Sequence, residues 1–319
     1  MSRSFLEIDD LTPEELSAVL DASERPDPPK VLAGLGVALI FEKPSNRTRN
    51  ATEMAVVQLG GHPVAIRGEE VGIDVRETAE DVGRTLACYH AAIGARVYDH
   101  RVLTRMAATV DVPVVNLLSD DAHPMQALSD LLTLRQHLGD PTGRSVAWVG
   151  DFTNVARSLA IGAAMCGMGV RVAAPHGYGP TPVDVDRLAA LGSPPLVTTR
   201  PAEAVDGADA VVTDVWTSMG QEDEAAVRRK AFEGFTVDEA LMADAAANAV
   251  FLHCLPAHRG EEVAAAVVDG PRSLVWQEAE NRMHVARGLL LWLFEGGQER
   301  TTGAKRGPSG PAAGQERTT

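Results

Sequence analysis

The sequence has no excess of positive charge. Its 29 Lys and Arg are outnumbered by 44 Asp and Glu, for a net charge of -15. A surface that acidic repels nucleic acid and anionic lipid, so neither is expected as a partner. Any phosphate must be held in a small local pocket that opposes the global field. Cysteine is scarce. Cys88, Cys166 and Cys254 are odd in number and form no C-x-x-C pair. Neither a disulfide framework nor a zinc site is expected, and a reducing cytosol fits. Long apolar runs are missing, so no membrane span is expected. Met1 to Leu11 carries acidic residues and no long apolar stretch, and no signal peptide is expected. The dinucleotide glycine fingerprint is also absent. Trp148 to Val155 reads as a strand running into a helix, but Gly150-Asp151-Phe152 is not G-x-G and no further glycines follow in place. A nicotinamide-dependent dehydrogenase is thereby disfavoured.

What is present fits a two-domain protein. At 319 residues the chain exceeds the size at which a single core stops growing. Strands and helices alternate. Thr12-Pro13-Glu14-Glu15 is a capping box that opens a helix. Val37 to Phe41 is a short apolar run between Gly36 and Pro44, read as a buried strand. A helix follows over about 47–59. Further strands are expected at Val64–Ile66, Ala91–Val97 and Val112–Leu117, with helices at about 77–88, 101–108 and 124–138 between them. Gly139-Asp140-Pro141-Thr142-Gly143 breaks the pattern. A second series then offers strands at Ser145–Val149, Val170–Ala174, Leu196–Thr199, Ala210–Asp214 and Ala249–Leu255. The fold class expected is α/β, with two doubly wound parallel-sheet domains at 1–138 and 139–277. A C-terminal helix at 278–295 is expected to pack back on the first domain. From Gly296 the chain is Gly, Pro, Ser, Thr and charge, with Gly297 to Thr302 repeated as Gly314 to Thr319. The stretch 296–319 is expected to be a disordered tail, for want of apolar residues to bury.

The segment Ser45-Asn46-Arg47-Thr48-Arg49 joins the first strand to its helix. It offers two hydroxyls, guanidinium charge and the backbone N–H groups of a helix start, at the carboxyl end of a parallel strand. That is a compact phosphate cradle. A capped helix with surface arginines would carry the same residues.

Five motifs, in order along residues 1–294, resemble the aspartate and ornithine carbamoyltransferases. Ser45 to Arg49 is similar to their Ser-Thr-Arg-Thr-Arg signature, with Asn46 in place of Thr. His123-Pro124-Met125-Gln126 matches their His-Pro-x-Gln. Asp214-Val215-Trp216-Thr217-Ser218-Met219-Gly220 matches the Asp-x-Trp-x-Ser-Met-Gly of the ornithine-type members. His253-Cys254-Leu255-Pro256 matches their His-Cys-Leu-Pro, and Glu280-Asn281-Arg282-Met283-His284 opens the last helix.

The resemblance implies transfer of the carbamoyl group of carbamoyl phosphate to the δ-amine of L-ornithine, giving citrulline and phosphate, in arginine and citrulline metabolism. It implies that Ser45, Asn46, Arg47, Thr48 and Arg96 hold the phosphate. Thr48, Arg96, His123 and Arg282 would polarise the carbonyl, and Gln126 would bind the carbamoyl amide. Cys254 and the Leu255 carbonyl would lie by the reacting amine. Asn154, Asp214, Ser218 and Met219 would bind ornithine. The catalytic set is then Arg96, His123, Cys254 and Arg282, with no cofactor and no metal. A cytoplasmic homotrimer is implied, with sites near subunit interfaces and domain closure on the second substrate. Glu70 stands by spacing where ornithine-type members often carry a Gln given to a neighbouring subunit. Thr153 stands where many relatives carry Asn. A carbamoyltransferase for another amine, such as putrescine, and a catalytically silent ligand-binding paralogue are the competing readings.

Overall fold

The structure is a computed structural model that describes residues 3–217 and 222–301. Two parallel sheets carry the chain. The first contains β1 (Gly36–Phe41), β2 (His62–Arg67), β3 (Ala92–Arg96) and β4 (Val114–Leu118), in the order β2-β1-β3-β4. The second contains β5 (Ser145–Val149), β6 (Gly169–Ala173), β7 (Leu196–Thr198), β8 (Ala210–Thr213) and β9 (Val250–His253), in the order β7-β6-β5-β8-β9. Both are doubly wound α/β sheets, as the alternating pattern predicts. Each order reverses once, between β1 and β3 and between β5 and β8. Crevices at such reversals, beyond the carboxyl ends of the strands, are where open α/β sheets take ligands.

The helix Pro13–Ser23 starts with the predicted capping box. Thr12 Oγ1 accepts from Glu15 N at 3.3 Å, and Glu15 Oε2 accepts from Thr12 N at 2.9 Å. The open edge of β4 is covered by residue 5, which exchanges backbone bonds of 2.8 Å with Val114 and Asn116. Covering an edge removes a template for unwanted pairing.

The last helix, Val275–Thr301, packs on the helices Pro13–Ser23, Asn46–Gln58 and Pro124–Leu138. It thus returns to the first sheet. It starts before the expected 278 and runs beyond 295. Its first residue, Val275, is buried and anchors the early start. Gly296-Gly297 does not end it, because each Gly costs only about 1 kcal/mol against Ala in a helix interior. The expectation of a tail without structure from 296 is corrected for 296–301. The rest of that tail, 302–319, lies outside the described residues. No helix among the described residues is long and apolar enough to cross a membrane.

Pro124–Leu138 is buried from Pro124 through Leu134 because it is packed between Asn154–Met165 and Val275–Thr301. Its polar residues therefore need internal partners. Ser129 Oγ donates to the Glu278 carbonyl at 2.7 Å, and Asn281 Nδ2 donates to Thr133 Oγ1 at 2.8 Å. These bonds fix the register of two helices that meet beneath the cleft.

Candidate active site

A cleft of about 380 Å³ opens between the carboxyl ends of the two sheets. Twelve of the residues singled out from the sequence line it: Ser45, Asn46, Arg47, Thr48, Arg96, His123, Gln126, Asn154, Asp214, Cys254, Leu255 and Arg282. Ser218 and Met219 lie outside the described residues.

The first wall is built by β1 and its helix. Ser45 is extended and caps Asn46–Gln58, its hydroxyl accepting from Thr48 N at 3.2 Å. The hydroxyl hydrogen remains free to donate. Beside it Thr48 Oγ1 accepts from Arg96 Nη1 at 3.5 Å and from Arg282 Nη2 at 3.3 Å. All three side chains are buried. Arg96 Nε and Arg282 Nη1 are buried with no partner among the described residues. Burial lowers both guanidinium pKa values to about 10, which still leaves two cations at neutral pH. Two buried cations with unused donors call for an anionic oxygen. A register shift falls between Ala95 and Arg96, where β3 meets β4.

His123 stands at the start of the next helix. Its backbone N–H donates to Ser158 Oγ at 2.9 Å, and Ser158 Oγ donates to Glu7 Oε1 at 2.8 Å. Burial, then Arg282 and Arg96, hold the imidazole pKa well below 6.5, so the ring is neutral at pH 7. Arg47 reaches across the cleft and donates to the Leu255 carbonyl. Leu255 has φ +58°, a left-handed conformation rare for a branched side chain, which turns this carbonyl toward the first half.

Comparison with known proteins identifies both halves of the chain. Residues 3–136 match the carbamoyl-P binding domain of the aspartate/ornithine carbamoyltransferases, and residues 142–293 match their Asp/Orn binding domain. The chain belongs to the aspartate/ornithine carbamoyltransferase family. It is 48% identical over 304 residues to the ornithine carbamoyltransferase of Acidothermus cellulolyticus, covering 92% of this chain and 97% of that relative. Among solved structures, the ornithine carbamoyltransferase of Pyrococcus furiosus matches with a TM-score of 0.89 and 41% identity, over 92% of this chain and 98% of that one. The Thermus thermophilus enzyme matches at 0.85 and 44%, over 92% and 99%.

The second wall of this carbamoyltransferase comes from β5, β8 and β9. Gly150, with φ +138°, lets the chain leave β5 where a Cβ would meet Thr213 Oγ1 at 3.4 Å. Asn154 begins the next helix. Its Nδ2 donates to the Ser119 carbonyl at 2.6 Å and its Oδ1 accepts from Val155 N at 3.0 Å. One amide hydrogen is left for a ligand. Asp214 Oδ1 accepts from Val215 N at 2.8 Å and from Cys254 Sγ at 3.2 Å. Burial raises the pKa of both groups, so Cys254 is a thiol and not a thiolate. Trp216 is a packing residue, stacked on Phe232 with ring centroids 5.5 Å apart. Arg228 pairs with Asp151 and with the Trp216 carbonyl, tying the loops after β5 and β8 together.

Asp214, His253 and Cys254 bring possible metal ligand atoms within 4.8 Å of one another. These atoms are already engaged. His253 Nδ1 accepts from Leu255 N at 2.9 Å, so Nε2 carries the hydrogen and donates to Glu262 at 3.1 Å. A metal on this imidazole would have to break one of those bonds. Glu70 caps locally, its carboxylate accepting from Arg67 N at 3.1 Å.

Sequence reading missed Lys43, Asp130 and Glu278. Lys43 lines the cleft over the Tyr98 ring, at 4.3 Å. Gln126 Nε2 donates to both Asp130 Oδ1 and Glu278 Oε1, each at 2.7 Å. The four-residue spacings from Gln126 to Asp130 and from Glu278 to Arg282 were available signals, since such positions share a helix face.

Proposed function

We propose that this chain transfers the carbamoyl group of carbamoyl phosphate to the δ-amine of L-ornithine. One observation carries the reading. Arg96, Arg282 and Thr48, with a neutral His123 beside them, form a buried cationic wall facing the Asp214–Cys254 pair across one cleft. The wall suits a phosphate and a developing oxyanion, and the acidic pair suits an ammonium.

Phosphate is held by Ser45, Asn46, Arg47, Thr48 and Arg96. Arg96, His123 and Arg282 donate to the carbonyl oxygen, and Gln126 meets the carbamoyl amide. Asp214, Ser218, Met219 and Asn154 take the α-ammonium and α-carboxylate of ornithine. The δ-amine must be neutral to attack, since an ammonium has no lone pair. Attack on the carbonyl carbon gives a tetrahedral oxyanion, which the guanidinium groups stabilise in a water-poor cleft. The C–O bond to phosphate then breaks, and the departing phosphate takes the amine proton. Cys254 stays a thiol and orients the amine beside the Leu255 carbonyl. Holding both substrates in line supplies the rest of the acceleration.

The reading extends to a cytoplasmic homotrimer serving arginine and citrulline metabolism. Met54 and Val57, exposed on Asn46–Gln58, offer an apolar contact face for it. Sedimentation of the purified protein reads the oligomer. The deciding experiment offers ornithine, putrescine and aspartate in parallel with carbamoyl phosphate. Citrulline from ornithine, with the other two amines much slower, is the expected result. Transfer to putrescine at an equal rate, or no transfer to any amine, would overturn it.

A further inference from the structure

The floor of the cleft holds two carboxylates that the mechanism above does not use. Asp130 and Glu278 are almost fully buried, at 1% and 2% exposure. Both reach the same nitrogen, Gln126 Nε2. Two buried carboxylates this close cannot both hold a full charge, even with Arg282 nearby. Burial raises both pKa values, to about 7 for Asp130, and the Asp130 charge raises Glu278 further, so the pair retains a proton near neutrality.

The consequence falls on Gln126. An amide nitrogen has two hydrogens, and here each is committed to a carboxylate. The amide oxygen makes no hydrogen bond among the described residues, and Gln126 lines the cleft. The reverse orientation would set that oxygen against two carboxylate oxygens that share at most one proton. The carboxylates are themselves held. Glu278 Oε2 accepts from His253 N at 2.9 Å, and the Glu278 carbonyl accepts from Ser129 Oγ at 2.7 Å.

We propose that Asp130 and Glu278 are positioning residues that lock Gln126 with its carbonyl oxygen toward the cleft, making the site select a donor with an NH2 group on its acyl carbon. This rests on the proposed function, because it assumes that an acyl phosphate occupies the cleft. The locked oxygen accepts a hydrogen bond from carbamoyl phosphate. It meets only a methyl group in acetyl phosphate, which has the same phosphate and nearly the same shape. A buried acceptor left without a donor is penalised, so acetyl phosphate is rejected.

The test measures dissociation constants of carbamoyl phosphate, acetyl phosphate and inorganic phosphate on the full chain. The wild type should prefer carbamoyl over acetyl phosphate by about tenfold or more. Equal affinities would overturn the proposal, and this comparison needs no variant to fold. Glu278→Gln supplies an NH2 that can donate to the Gln126 oxygen, releasing or reversing the amide. Its preference should fall to within about threefold of unity, with inorganic phosphate affinity unchanged within about twofold. Asp130→Asn should act the same way. A general loss of packing would weaken all three ligands together, and that result, or a folded variant that keeps the full preference, would overturn the proposal. Citrulline formation by the wild type separates the two readings. Without it the function fails. With citrulline formed and the preference unmoved in the variants, only the lock fails.

Discussion

Replacing Gly288 with Ala pits two opposite effects against each other. Gly288 lies inside Val275–Thr301, where Ala is the better helix former by about 1 kcal/mol. Helix propensity alone predicts a stabilised protein. The neighbourhood predicts the reverse. An added Cβ would stand 2.1 Å from Ser23 Oγ, 2.6 Å from Ser23 N and 2.7 Å from Ser23 Cα. A hydroxyl can rotate away, but the backbone of a helix end cannot. Ser23 is also held by its own bond to the Val19 carbonyl, at 2.7 Å. Overpacking costs about 1–3 kcal/mol, and contact with backbone puts this case at the upper end. The net loss is then about 2 kcal/mol, or a fall in Tm of roughly 3 °C for a protein of this size. Calorimetry reads it directly. Adding Ser23→Ala relieves the hydroxyl contact but not the two backbone contacts, so it should recover less than half of the loss. Arg282 lies less than two turns away on the same helix, so carbamoyl phosphate binding should weaken as well. A rise in Tm of the size set by helix propensity would refute the close approach of the two helices.

Arg47→Ala should weaken carbamoyl phosphate far more than ornithine in titrations, by the about 1.5–3 kcal/mol expected of a charge-assisted bond to phosphate. Unchanged phosphate binding would put the anion elsewhere. Cys254→Ser and Cys254→Ala should both lower turnover moderately and leave measurable citrulline, since the thiol forms no covalent bond. A thiocarbamate trapped on Cys254 would sink direct attack. Glu7 has a folded pKa raised by burial from 4.5 to about 7. The stability linked to this shift is fully present below 4.5 and is lost as pH rises through about 7. Glu7→Gln should therefore flatten the fall in Tm across that window, and an unaltered Tm–pH curve would contradict the shift.

Legibility in the sequence followed the range of the interactions. The capping box at Thr12 was readable because its two partners are three residues apart. The nine strands among the described residues were readable because each is an apolar run with turn residues at its ends. Pro124-x-Gln126 and Asp214 to Thr217 were readable as motifs, and the structure brings both to one cleft. Strand order was not readable from one chain, because pairing is decided by which faces are left to cover. The end of the last helix was misjudged because Gly296-Gly297 looks like a stop, while packing upstream outweighs it. The partners of Gln126 were invisible for a different reason. Glu278 is 152 residues away, and only the assembled floor of the cleft brings them together.

The return of Val275–Thr301 to the first sheet has a consequence for the newborn chain. On the ribosome, β1 to β4 emerge early, and with them Ser45, Thr48 and Arg96. Their helices still lack the surface that Gly288, Leu289 and Leu290 will cover. Synthesis must pass through the whole second sheet before that cover and Arg282 arrive. At about 5–20 residues per second the delay is on the order of ten seconds. Through that interval the first half carries an unroofed apolar face and an anion pocket with one of its two buried guanidinium groups. The stretch of chain that completes the cationic wall is therefore the same stretch that closes the core, and neither can be finished before the other.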